Sequence, residues 1–119
     1  MDTDDDIIKE FLIESAENLA RLDQEMVELE QQPERTDLLA SVFRTIHTIK
    51  GTCGFLGFHR LEAVAHVTED VLNELRQNRR KLDGPLTSLI LQAVDAIKRI
   101  LDSIQSEAGE GAGNAPVAE

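Results

Sequence analysis

The chain has 119 residues and a formal net charge of −11; 41% of it is hydrophobic but only 3% aromatic, with four Phe and no Trp or Tyr. Rings this scarce give no platform for stacking on bases, and charge of this sign opposes binding to phosphate backbones. A single cysteine, Cys53, excludes an internal disulfide, and an aliphatic composition at this length suits one helical domain with a real core.

The acid is concentrated early: residues 1–35 carry twelve Asp/Glu against three Lys/Arg. Such a run reads as a solvated helix face, with a basic partner as the less economical alternative. The opening MDTDDDIIKE is acidic where a signal peptide would be basic. No apolar run approaches the roughly 20 residues of a membrane span, so a cytoplasmic location is expected.

Four segments repeat apolar residues at steps of 3 and 4, the spacing of one helix face. The first runs from about Thr3 to Gln32, with Ile8, Phe11, Ser15, Leu19, Leu22, Met26 and Leu29 as its stripe, N-cap candidates in DTDDD and a stop at Pro33. The second begins near Thr36 or Asp37, carries Leu39, Val42, Ile46, Ile49 and Cys53, and runs into GFLGF. There Gly54 and Gly57 can supply the positive φ that closes a helix, and Gly54 reads as the helix end. The third starts near His59 and places Leu61, Ala65, Thr68, Leu72 and Leu75 inward before QNRRKLDG. Pro85 suits the first turn of a fourth helix, whose stripe is Leu86, Ile90, Ala93, Ile97, Ile100 and Ile104. These elements predict an all-α, antiparallel up-down four-helix bundle over residues 1–106, with 107–119 as a flexible Gly/Ala-rich linker or tail.

The second helix has an unusual outer face. His47 lies one step, about 100°, from the core position Ile46. Lys50, Gly51 and Gly54 follow it at i+3, i+4 and i+7, forming one exposed row. Glycine inside a helix costs about 1 kcal/mol relative to alanine, so Gly51 needs a reason. Close helix–helix approach is one, and access for another protein's active site is the other. His47 itself has three readings: a surface histidine without a task, a metal ligand, or a nucleophile. The metal reading finds little support, because His59 and His66 are the only other histidines and no zinc or Glu-x-x-His spacing is present. A neutral imidazole in solvent can attack a phosphoryl group if a carboxylate pins its tautomer, and a nearby lysine can pair with the product.

The stretch HTIKGTCGFLGFHRLEAVAHVTEDVL carries a fuller pattern: His47-Thr48-Ile49-Lys50-Gly51, then Gly57-Phe58, Leu61, and His66-Val67-Thr68-Glu69. It resembles the histidine phosphotransfer (HPt) domain found at the N-terminus of CheA-type chemotaxis histidine kinases, and the likeness extends over roughly residues 5–105, including the Val94-Asp95 of the fourth segment.

The resemblance implies that His47 is phosphorylated through Nε2 by the ATP-binding domain of the kinase, in trans within a dimer. It implies that Glu69 accepts the Nδ1–H, that Lys50 and His66 complete a hydrogen-bonded cluster, and that Gly51 gives access to the docking domain. The phosphoryl group then passes to an Asp of a CheY- or CheB-like response regulator. The domain would be a phosphoacceptor rather than an enzyme and would hold no cofactor or metal. ATP and Mg²⁺ would belong to the kinase, and Mg²⁺ to the receiver. Thr52-Cys53 stands where the family often has smaller residues, and nothing in the sequence clearly supplies the fifth helix that some members carry. The rival readings are a non-catalytic helical interaction or oligomerisation module and a free-standing phosphorelay HPt protein. Phosphorylation by a cognate kinase separates the first of these from the carrier.

Overall fold

A computed structural model describes residues 3–108, with side chains from 5 to 106. Four helices account for it: α1 (Thr3–Gln31), α2 (Thr36–Leu56), α3 (His59–Arg76) and α4 (Gly84–Ala108). At about 1.5 Å per residue α1 runs the length of the molecule, whose longest dimension is 46 Å. Each helix packs on its neighbours in the chain and α1 closes against α4, while the diagonal pairs stay apart. Short links between spatially adjacent helices make them antiparallel, which is the expected up-down bundle.

The expected stripes of α1, α2 and α3 form the core, with only Ile8 left half-buried at its edge. α4 departs from expectation. Val94 and Leu101 are buried there, whereas Ala93 and Ile100 are only half-buried. The stripe is correct in period but rotated, because α4 must cover both α3 and α1, and the buried arc swings toward Val94 and Leu101.

The helix ends are closed by local chemistry. α2 continues through Gly54 to Leu56, so Gly54 is not its terminator. That role falls to Gly57 alone, at φ 85°, with Gly57 N–H donating to the Gly54 carbonyl (3.3 Å) and Phe58 N–H to that of Cys53 (2.9 Å). This is the paired hydrogen-bond closure that a left-handed residue permits. Asn78 at φ 61° closes α3 in the same manner, with Arg79 N–H donating to the Glu74 carbonyl at 3.0 Å. Asp83 caps α4, its Oδ1 accepting from Leu86 N–H at 2.8 Å. α2 has no side-chain cap. Instead Arg35 grips Asp37 through two hydrogen bonds of 2.8 and 2.7 Å, which hold that carboxyl down at about 2.

Within DTDDD, Thr3 to Asp6 are already helical, and Asp2, the remaining cap candidate, lies outside the described residues. α4 extends two residues past the boundary expected at 106; the rest of the expected tail, and any short helix there, also lies outside them. Among the described residues no helix is long and apolar enough to cross a membrane.

Candidate functional site

The site lies where α2 and α3 run side by side. Ile46 and Ile49 are buried in the core, which forces His47 and Lys50 toward the groove facing α3. On α3, the buried Leu61, Ala65, Thr68 and Leu72 set the rotation, and Glu69 follows Thr68 by one step to the rim of that groove. Two aliphatic stripes therefore aim one imidazole, one ammonium and one carboxylate at a common point.

The carboxylate is the hub. Glu69 Oε2 is in hydrogen-bond contact with His47 Nδ1, and Glu69 Oε1 accepts from Lys50 Nζ at 2.6 Å. Burial pushes the Glu69 carboxyl up, but the hydrogen bonds from Lys50 and His47 outweigh it, and its pKa lies below the ordinary value of 4.5. The same contact with Glu69 raises Lys50. An ionised carboxylate can only accept, so Nδ1 carries the proton. In the neutral ring the lone pair is then on Nε2. The His47 side chain is 61% exposed while that of Glu69 is 10% exposed, so the carboxylate is sheltered while the imidazole reaches solvent.

Gly51 sits one turn beyond His47, and a Cβ built there would meet nothing within 4 Å. Close helix–helix approach therefore does not account for it; the space is open to solvent. Gly54 is the glycine under steric pressure, since a Cβ there would come within 2.8 Å of Glu62 Oε2 on α3. His66 does not join the cluster. Its Nδ1 is 4.0 Å from Glu69 Oε1 and its Nε2 is 3.6 Å from Asp70 Oδ2, both too long for a hydrogen bond. It stands at the rim, 59% exposed.

Reading the sequence missed the other flank of His47. Phe43, one turn earlier, stacks on the imidazole with centroids 5.9 Å apart and planes 10° from parallel. Arg76, from the last turn of α3, lies 4.2 Å from the Phe43 ring centroid. The i−4 and i−3 positions of Phe43 and Arg44 relative to His47 were legible signals; the approach of Arg76 was not. Cys53 is buried and pushed up to about 11 by that burial, which makes it inert packing. No group of His, Cys, Asp and Glu among the described residues has the arrangement of a metal site.

The chain matches the Hpt domain family over residues 6–106. It belongs to that family. Among relatives, this Hpt domain is 41% identical over 105 residues to the sensor histidine kinase CheAY of Helicobacter pylori, covering 88% of this chain and 13% of that protein. The CheA phosphotransferase domain of Thermotoga maritima superposes with a TM-score of 0.80 at 33% identity, over 84% of this chain and 95% of that one. The phosphorylated P1 domain of CheA3 from R. sphaeroides, solved in complex with CheY6, gives a TM-score of 0.80 at 25% identity, over 95% of this chain and 84% of that one. The Hpt domain spans between 12% and 16% of the length of the eight CheA-type relatives compared. Both the bundle read from the apolar stripes and the phosphotransfer class read from HTIKG and HVTE are thus the family's own, and the domain is a phosphoacceptor rather than a catalyst.

Proposed function

We propose that His47 is the phosphoacceptor of this Hpt domain and that the domain carries the phosphoryl group from a histidine kinase to a response regulator. One observation carries the reading: the Glu69 carboxylate engages His47 Nδ1 and leaves Nε2 without a hydrogen-bond partner among the described residues, on a side chain that is 61% exposed. The Nε2 lone pair attacks the γ-phosphorus of ATP held by the kinase domain, the bond to the departing ADP oxygen breaks, and a nitrogen–phosphorus bond forms. Glu69 steadies the positive charge that develops on the ring and keeps the proton on Nδ1. In the second transfer a receiver carboxylate attacks phosphorus, and the electron pair of the N–P bond returns to Nε2.

The chain's own part is to present and orient. ATP and Mg²⁺ act from the kinase, in trans within a dimer, and Mg²⁺ again from the receiver, where phosphoryl transfer requires the ion. The open space over Gly51 gives such domains access to His47. Lys50 keeps Glu69 ionised, and His66 contributes only from the rim. The receiver is of CheY or CheB type; a relative solved with CheY6 supports that class of partner. A cytoplasmic setting follows from partners of this kind.

The decisive test is His47→Gln, incubated with a CheA-type kinase and labelled ATP. Acid-labile labelling present in the wild type is expected to vanish. Labelling that persists in the variant would remove His47 as the acceptor.

A further inference from the structure

Lys50 is already committed. Its ammonium donates to Glu69, which also accepts a hydrogen bond from His47 Nδ1–H, so with a neutral ring the trio sums to no net charge. A phosphoryl group on Nε2 brings oxygens that carry between about −1.5 and −2 at neutral pH, against which the ring, keeping its Nδ1–H, sets at most about +1. The chain as a whole carries −11, a field that opposes every phosphate brought near it. A second cation beside Nε2 would offset the remaining charge locally.

One cavity beside His47 holds such cations. It has a volume of about 210 Å³ and is lined by Ala40, Phe43, Arg44, His47 and Arg76. Phe43 stacks on His47, and the Arg76 guanidinium lies over the Phe43 ring. Arg44 precedes His47 by three residues on α2, which puts it on the same helix face. Both arginines are exposed, and among the described residues neither has an ion-pair partner. A guanidinium held through its flat face keeps its N–H edge free, and that edge is the fork that binds phosphate oxygens in pairs. The aromatic ring thus places a cation next to His47 without neutralising it, whereas a carboxylate partner would have done so.

We propose that Arg44 and Arg76, arranged around Phe43, form a phosphate-oxyanion subsite beside His47, separate from the Lys50–Glu69 pair. The proposal rests on His47 being the phosphoacceptor and names the groups that receive the charge. The oxyanion has two sources, the phosphoryl group on Nε2 and the polyphosphate of an approaching donor.

Two arms of one experiment distinguish them. In the first, the chain is phosphorylated with a small phosphoramidate: the reagent's N–P bond breaks, the bond to Nε2 forms, and ammonia leaves with the proton. The side-chain Nε–H signals of Arg44 and Arg76 are then followed by NMR. Both are expected to move downfield on phosphorylation while those of Arg60 and Arg99 stay in place.

In the second arm, inorganic tripolyphosphate is titrated into the unphosphorylated chain at low salt. The double variant Arg44→Gln/Arg76→Gln is expected to bind about tenfold more weakly, the loss that two solvent-screened charge contacts imply. Lysine at both positions should restore part of it. A response in the first arm assigns the subsite to phosphohistidine, and one in the second to the donor. Arginine signals indifferent to phosphorylation, together with unchanged tripolyphosphate affinity in the double variant, would overturn the subsite. If the phosphoramidate leaves His47 unmodified, the acceptor reading fails on its own, and the tripolyphosphate arm still decides the subsite. Circular dichroism of these surface variants checks that the bundle is intact.

Discussion

Glu69 is the one acidic side chain buried among the described residues, at 8% exposure. A carboxylate in that setting survives only because both of its oxygens are engaged by donors. Its folded pKa lies below 4.5, so the stability it adds is fully present above that unfolded value. It is lost as pH falls through the lower folded value. Urea midpoints measured between pH 6 and 3 should therefore decline in the wild type and decline less in Glu69→Gln. The same variant cannot hold the ring proton on Nδ1 as firmly. Its phosphorylation by kinase and ATP should slow about 10- to 100-fold, by analogy with the loss when the carboxylate behind a metal-bound histidine is removed, with helical content unchanged by circular dichroism. An unaltered rate would leave Glu69 a bystander.

The helices are held in place by a few residues outside the apolar stripes. Gly57 adopts φ 85° between α2 and α3, a conformation that costs a residue bearing a Cβ about 1–2 kcal/mol. Gly57→Ala should lower unfolding free energy by that amount in urea titration, although a Cβ there would touch nothing within 4 Å. The loss would be conformational and not steric. Asp83→Ala removes the side-chain acceptor of Leu86 N–H at the start of α4, and should cost about 1 kcal/mol. Because Gly57 sets the link between the two helices that carry His47 and Glu69, its replacement should also slow phosphorylation. Asp83 lies at the start of α4, away from the site, so Asp83→Ala should leave that rate alone. Comparing the two variants separates stability from site geometry.

At the level of the whole molecule, polar ties supplement the core. Lys98 of α4 pairs with Asp23 of α1, Arg21 of α1 donates to Thr45 Oγ1 of α2 at 3.0 Å, and Ser41 of α2 donates to Glu25 of α1 at 2.7 Å. Such partly exposed contacts each add little, and aliphatic packing supplies most of the stability. Leu72 shows how core and site are linked. It is fully buried on α3, less than one turn from Glu69. Leu72→Ala should cost between about 2 and 5 kcal/mol by leaving a cavity, read as a lower urea midpoint. Labelling of His47 should persist under native conditions, because the variant removes packing and none of the reacting groups.

Much of this was legible in the order of residues. The 3- and 4-residue spacing on α1, α2 and α3 specified their buried faces, because a helix fixes its angular period whatever surrounds it. The row of His47, Lys50 and Gly51 followed from the same geometry, and Glu69 entered through the family resemblance of its motif. Other features were set only when the helices met. α4 rotated to satisfy two neighbours at once, so Val94 and Leu101 displaced Ala93 and Ile100 from the core. His66 was left at the rim and Arg76 brought over Phe43 from 33 positions away. Periodicity along one helix is a local property of the backbone. The distance between side chains on two helices depends on rotation and crossing, which no single segment contains.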